Sequence, residues 1–284
     1  MTASLSEKTI LLTGATEGIG KAAAFALAGQ GARLTLVGRN REKTEQVVGQ
    51  VKQQTGNDRV DLLLADLSEQ AQVRRVAQEF RQTHDRLDVL VNNAGAYFTN
   101  YQRCPDGLER TFAVNHLAYF LLTQQLWPLL EKTPGARVVS TSSGAHQSTR
   151  RLQVETLAHR DGRQAGFAAY GDSKLANILF TRALAKRLPG VAVNCFHPGF
   201  VRTGIAQNNA DVVARLFALA GRLFGRTPQK GAETLVWLAS SEEAARFTGE
   251  YFFDCKPKRP SRLAQDDALA EALWQLSEKL CADK

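Results

Sequence analysis

Thr9-Ile10-Leu11-Leu12-Thr13-Gly14-Ala15-Thr16-Glu17-Gly18-Ile19-Gly20 is the stretch that decides the fold. Its first half is an uncharged Ile/Leu run, which reads as a short strand buried on both faces. Glycines then make a turn, and the alanine-rich residues after Gly20 have helical character. A strand, a glycine turn and a helix in that order build a phosphate site. Glycines let backbone come close, and a helix N-terminus offers unpaired N–H groups at the positive end of its dipole. The spacing is G-x-x-x-G-x-G rather than G-x-G-x-x-G. Gly14, Thr16, Gly18, Ile19 and Gly20 are the contacts expected here, and Glu17 adds a negative charge where a basic residue would help a phosphate.

The same alternation continues outward. Apolar runs predict strands at 9–13, 33–38, 60–65, 87–92, 137–141, 191–197 and 251–253, with helices beginning near Gly18, Arg41, Ser68, Gly107, Tyr170 and Pro228. Ser68-Glu69 reads as a helix start, the hydroxyl taking a free backbone N–H and the acid favouring the positive end. Gly31 and Gly190 sit where helices should stop. This order implies an α/β fold: one doubly wound (Rossmann) parallel sheet of about seven strands with helices on both faces. No linker or repeat divides the chain, so residues 1–284 read as a single dinucleotide-binding and catalytic domain. Two regions stand outside the alternation, a polar insertion at 144–169 and a segment at 204–227 with an apolar helical stripe that includes Val213, Leu216, Phe217 and Phe224.

Composition narrows the function classes. The chain has 284 residues, is 44% hydrophobic and carries a net charge of +8. No apolar run is long enough to span a bilayer and no leader precedes the first strand, so a soluble, cytoplasmic protein without an integral membrane span is expected. The four cysteines form no C-x-x-C pair, which argues against a disulfide framework or a zinc site. Lys and Arg are mixed with acids along the helices, the pattern of a solvated surface rather than a nucleic-acid site.

The end of the second strand selects the cofactor. Folds that prefer NAD place an acid there for the ribose hydroxyls. Here the run is Leu36-Val37-Gly38-Arg39-Asn40, with no acid. Arg39 can pair with a 2′-phosphate through a charge-assisted contact, so NADP(H) is the expected cofactor.

Tyr170-Gly-Asp-Ser-Lys174 points to chemistry. Residues four apart share a helix face, and a nearby ammonium favours the ionised phenol, which makes tyrosine useful as an acid or base. Val138-Val139-Ser140-Thr141-Ser142-Ser143 ends in hydroxyls at the C-terminal edge of the sheet, where open α/β folds bind ligands. Asn92-Asn93-Ala94-Gly95 ends the preceding strand, and Asn115 sits in an otherwise apolar helical run.

These motifs together resemble the short-chain dehydrogenase/reductase family over nearly the whole chain: TGxxxGxG at 13–20, NNAG at 92–95, a serine with YxxxK at 170–174, and Pro198-Gly199. The resemblance implies that Tyr170 exchanges the proton with substrate oxygen. Lys174 would lower its pKa and bind the nicotinamide ribose, Ser143 would polarise the carbonyl, and Asn115 would hold a relay water. It also implies cofactor contacts from Asn40, Asp66 (to adenine), Leu67, Asn93, Ala94, Gly95, Pro198 and Gly199, with Val201 and Thr203 on the carboxamide side. Ser142-Ser143-Gly144-Ala145-His146 is similar to the retinol dehydrogenase branch, in which the second serine acts, so Ser143 is preferred to Ser142. The branch has a longer insertion before the tyrosine, so 144–169 is expected to be a loop beside the active site.

No metal is needed. The implied substrate is a small carbonyl or alcohol, retinal-like or another lipophilic aldehyde or ketone. The 204–227 stripe either forms a lid over the cleft or packs on the core. The 261–280 segment reads as an amphipathic helix that closes the cleft or joins subunits, a homodimer being one use of it. Other readings are a nucleotide-sugar epimerase, whose substrate domain this short tail does not supply, and a non-catalytic NADP-binding sensor.

Overall fold

The structure is a computed structural model that describes residues 4–160, 165–202 and 225–282; Thr203 and most of the 204–227 segment lie outside the described residues. Among them, eight strands form one sheet in the order β3-β2-β1-β4-β5-β6-β7-β8. The strands are β1 (Thr9–Thr13), β2 (Arg33–Gly38), β3 (Val60–Leu64), β4 (Val89–Asn92), β5 (Arg137–Thr141), β6 (Ala192–Phe196), β7 (Tyr251–Phe253) and β8 (Lys256–Pro257). All pair in parallel except β7 with β8. The chain order reverses between β1 and β4, so a cleft opens above their C-terminal ends.

Side chains alternate across this sheet and feed two cores. Ile10 and Leu12 pack with Val89, Val91, Val139 and Phe196 on one face, while Leu11, Leu90, Val138 and Val193 pack on the other. The first face is covered by α1 (Gly18–Gly29), α2 (Arg41–Thr55) and α7 (Pro228–Ser240). The second is covered by α3 (Gln70–Thr83), α5 (Ala118–Lys132), α6 (Phe167–Arg187) and α8 (Asp267–Cys281). Period-two burial on both faces explains why the strands carry so few charges.

Several boundaries differ from expectation, each for a local reason. β8 was not expected; it pairs through a two-residue turn in which Asp254 (φ 48) and Cys255 (φ 58) are both left-handed, a hairpin geometry that usually takes glycine or asparagine. α3 starts at Gln70, and Glu69 caps nothing with its side chain. Its first N–H is instead met by the Asp106 carboxylate at 2.8 Å, thirty-six residues away. α6 starts at Phe167, released by Gly166 at φ 67, so Tyr170 lies in its first turn. The helix expected near Gly107 starts as α4 (Arg110–Phe112), runs through a π-helical turn (Ala113–Leu117) and continues as α5.

Asp88 joins the starts of β1 and β4. It is buried and accepts from Thr9 N at 3.0 Å, Lys8 Nζ at 3.0 Å, and Arg86 Nε and Nη2 at 2.9 and 2.7 Å. Burial pushes its carboxyl up, but the Arg86, Thr9 and Lys8 contacts outweigh that and hold it below its ordinary value. A depressed folded pKa contributes stability that is full above the unfolded value of about 4 and is lost as pH falls through the folded one. Asp88→Asn is expected to cost about 1–3 kcal/mol at pH 7 and to flatten the acid limb of a urea-melt stability profile. A variant as acid-labile as the parent would assign that limb to other groups.

Candidate active site

The cleft above β1, β4 and β5 encloses about 660 Å³. Its first wall is the glycine turn. Gly14 is left-handed (φ 67), and a Cβ there would lie 2.6 Å from Ala94 Cα. A Cβ on Gly20 would lie 2.1 Å from Gly14 O and 2.5 Å from Asn93 Nδ2. No side chain caps α1, whose N-cap residue is Glu17, so its first N–H groups face the cleft unspent. Thr13 and Asn93 lock this turn to the end of β4. Thr13 Oγ1 accepts from Asn93 N (2.9 Å) and Ala94 N (3.0 Å), and Asn93 Nδ2 donates to Thr13 O (2.9 Å) and Gly14 O (3.2 Å).

Thr16, Gly18 and Ile19 line the same wall, as do Arg39, Asp66, Leu67 and Gly95, and Pro198, Gly199 and Val201 close it from beyond β6. Two predicted residues do not reach the cleft. Asn40 caps α2, its Oδ1 accepting from Lys43 N at 2.9 Å. Asn115 sits behind the wall, fully buried, its Oδ1 taking Ala96 N at 2.8 Å and its Nδ2 donating to Ala96 O and Ser173 Oγ, both at 3.0 Å. It thereby fixes the loop after Gly95.

The two serines separate by their partners. Ser142 Oγ is buried and donates to Lys174 O at 2.8 Å. Ser143 lines the cleft with Tyr170 and Lys174, and its Oγ accepts from Ala145 N at 3.1 Å. Lys174 Nζ donates to Thr141 O at 3.2 Å and lies 5.6 Å from the centre of the Tyr170 ring. Burial pushes the phenol up to about 12, with the Ser143 hydroxyl pulling the other way. Burial also brings Lys174 down to about 7. Both shifts favour neutral groups, so a phenol made acidic by its lysine is not what this geometry alone produces.

Behind these residues lies polar machinery whose partners the motifs did not announce. Asn177 Nδ2 donates to Asn115 O (2.9 Å) and Thr141 O (3.1 Å), the carbonyl that Lys174 also uses. Its Oδ1 meets His116 Nδ1 at 3.3 Å, and His116 Nε2 meets Ser277 Oγ at 3.0 Å. Burial brings His116 down to about 4, so it is neutral. His146 Nδ1 donates to Ser143 O at 2.7 Å while its Nε2 accepts from Ser261 N at 3.2 Å. The available signal was an Asn on the buried face of a helix and a His beside each candidate; their partners are remote in sequence.

The described part of the 144–169 insertion, residues 144–160 and 165–169, is pinned by its contacts. It forms short helical turns at Gly144–Ser148 and Val154–Thr156. Arg160 then pairs with Asp172 of the YxxxK segment at 2.6 Å in a buried bridge, and Thr149 Oγ1 donates to the same carboxylate at 2.5 Å.

Comparison with known proteins agrees with this arrangement. The short chain dehydrogenase family model matches residues 8–213. Retinol dehydrogenase 14 of Mus musculus is 40% identical over 285 residues, covering 95% of this chain and 85% of its own. A Streptomyces protein (strain C5) with the provisional name daunorubicin C-13 ketoreductase DnrU is 39% identical, covering 98% and 94%. Among solved structures, the Pseudomonas aeruginosa RhlG/NADP active-site complex is 30% identical with a TM-score of 0.69, covering 88% of this chain and 95% of that one. With the glycine turn, the hydroxyl pair and the buried lysine in one cleft, the chain belongs to the short chain dehydrogenase family, in its retinol dehydrogenase-like branch.

Proposed function

We propose that the chain is an NADP(H)-dependent oxidoreductase that interconverts a carbonyl and an alcohol on a lipophilic small molecule, with Tyr170 moving the proton. The observation that carries this is that Ser143, Tyr170 and Lys174 line one cleft, with Lys174 Nζ 5.6 Å from the Tyr170 ring centre, and that the other half of this cleft is an uncapped helix end. The cradle fits a dinucleotide: positions 14 and 20 leave no room for a Cβ, and the N–H groups of α1 suit a pyrophosphate. Arg39 would hold a 2′-phosphate, Asp66 the adenine, Lys174 the ribose, and Val201 the carboxamide side. When bound, the nicotinamide supplies or accepts the hydride.

The chain's own groups do the rest. Ser143 and Tyr170 hold the substrate oxygen, and the neutral phenol gives its proton to the oxygen as negative charge develops. His146 keeps the Ser143 carbonyl in place, and Asn177 keeps in place Asn115 O and Thr141 O, the carbonyl that Lys174 also uses. A relay water on Asn115 stays part of this reading. Tyr97, Phe98, Phe167 and Phe200 line the cleft, the last two 50% and 40% exposed, which suits an apolar substrate. The names of the retinol dehydrogenase and ketoreductase relatives support the same class. No helix among the described residues is long and apolar enough to cross a membrane, and a cytoplasmic enzyme acting on a small molecule is the setting we propose.

NADPH and NADH oxidation should be followed with a panel of aldehydes and ketones, all-trans-retinal among them. The parent is expected to prefer NADPH, and Arg39→Leu to weaken NADPH about 10- to 100-fold, a charge-assisted contact's worth, with little change for NADH. Tight NADPH binding with no turnover of any carbonyl would favour a sensor, and an unchanged NADPH affinity in Arg39→Leu would remove Arg39 from the site.

A further inference from the structure

Among the described residues, the substrate half of the cleft contains one cation that no acid pairs with. Of the charged side chains in the lining, Glu17, Arg39 and Asp66 belong to the dinucleotide half and Lys174 to the floor; Arg110 is the one left. His197 also lines the cleft, but burial, with Lys258 beyond it, brings it down to about 4 and leaves it neutral.

Arg110 is the first residue of α4. A cation there opposes the helix dipole, so the position carries a cost that packing must offset. The guanidinium lies 5.0 Å from the centre of the Phe98 ring, and Nη1 donates to Gln102 Oε1 at 2.8 Å. Nε has no partner, and Arg110 makes no ion pair among the described residues. The adjacent acid does not neutralise it: Glu109 is buried, with one oxygen accepting from Thr111 N and the other from Phe112 N. From Arg110 a continuous aromatic wall leads back to the chemistry. Phe98 follows Tyr97, whose ring meets the Tyr170 ring edge-on at 5.8 Å.

We propose that Arg110 is an anion subsite and that the substrate is a carbonyl compound bearing a carboxylate at the end remote from the reacting carbon. The apolar middle of such a molecule lies along Tyr97 and Phe98. Its carbonyl reaches Tyr170 and Ser143, and its carboxylate meets Nη2, the guanidinium nitrogen that is neither held by Gln102 nor buried. The fork geometry of arginine suits a carboxylate better than a lone ammonium would, and the aromatic wall limits competing water. The assignment of the reacting end rests on the hydride-transfer reading; the anion subsite does not.

The test pairs ω-oxo carboxylic acids of increasing chain length with their methyl esters. In the parent, one length is expected to show kcat/KM for the acid at least about 10-fold above its ester, the size of one charge-assisted contact. The ratio should fall to about one in Arg110→Met and be partly kept in Arg110→Lys. NADPH affinity and the melting temperature serve as folding controls for both variants. Binding is read in parallel from the fluorescence of enzyme-bound NADPH on addition of the acid or ester. A ratio near one at every length, or a preference that survives Arg110→Met, overturns the subsite. If nothing turns over, acid-selective binding lost in Arg110→Met keeps the subsite and sinks the hydride-transfer reading, while absent or unselective binding overturns the subsite itself.

Discussion

Tyr170→Phe is expected to lower kcat/KM for carbonyl reduction by about 10²–10⁴-fold, the usual worth of a positioned acid, while leaving NADPH binding within a few-fold. The variant removes one oxygen and keeps the ring. Its packing edge-on to Tyr97 and over Lys174 therefore persists, and the fold should melt where the parent does. What disappears is the phenolic proton beside Ser143 in the cleft. Because burial pushes this phenol up to about 12, it stays protonated throughout the neutral range. Reduction should therefore need no change of its charge near pH 7, whereas alcohol oxidation, which needs the phenolate, should gain as pH rises. Single-turnover rates with NADPH and a good aldehyde, measured beside a melt, check both points. Residual activity above about a tenth of the parent would fall below the bottom of that range and hand the proton to another group.

The second large effect is expected at Gly20. Gly20→Val should abolish measurable NADPH binding and destabilise the fold by about 1–3 kcal/mol, as overpacking does. The first new atom would stand 2.1 Å from Gly14 O and 2.5 Å from Asn93 Nδ2. Neither can move alone, because Asn93 holds the turn to β4 through Thr13 O and Gly14 O. The glycine turn must therefore shift, and with it the N–H groups that face the phosphates. Gly49 in α2 is the matched control, since nothing lies within 4 Å of a Cβ there. Gly49→Ala should stabilise by about 0.5–1 kcal/mol and leave NADPH titrations unchanged. A Gly20→Val protein that still binds NADPH normally would mean that the turn is not the phosphate cradle.

What could be read from the sequence was what is local. β1 and β2 were legible because their apolar runs are buried on both faces, and Tyr170 with Lys174 because one helical turn joins them. β8 was not, since a two-residue Lys-Pro strand has no apolar pattern and its turn uses Asp254 and Cys255. The start of α3 was misjudged because Asp106, not Ser68, meets its first N–H. Asn40 was assigned to the cofactor, yet a short amide after a strand serves a helix cap equally well, and here it does. Asn177 and Arg110 stood in none of the motifs quoted, and His146 stood in one only as the neighbour of Ser143. Their meaning depends on Asn115, Ser261 and Phe98, which only folding brings beside them.

The bond between His116 and Ser277 also puts the two halves of the cleft on different clocks. During synthesis, Ser277 emerges 161 residues after His116. By then β1 to β4 and the glycine turn have long been available to pair. Until α8 docks, a buried imidazole nitrogen lacks its partner, and the His116 ring that meets the Asn177 amide is held from one side only. A nascent chain can therefore complete its dinucleotide cradle before its catalytic floor, which is finished by the last helix to arrive.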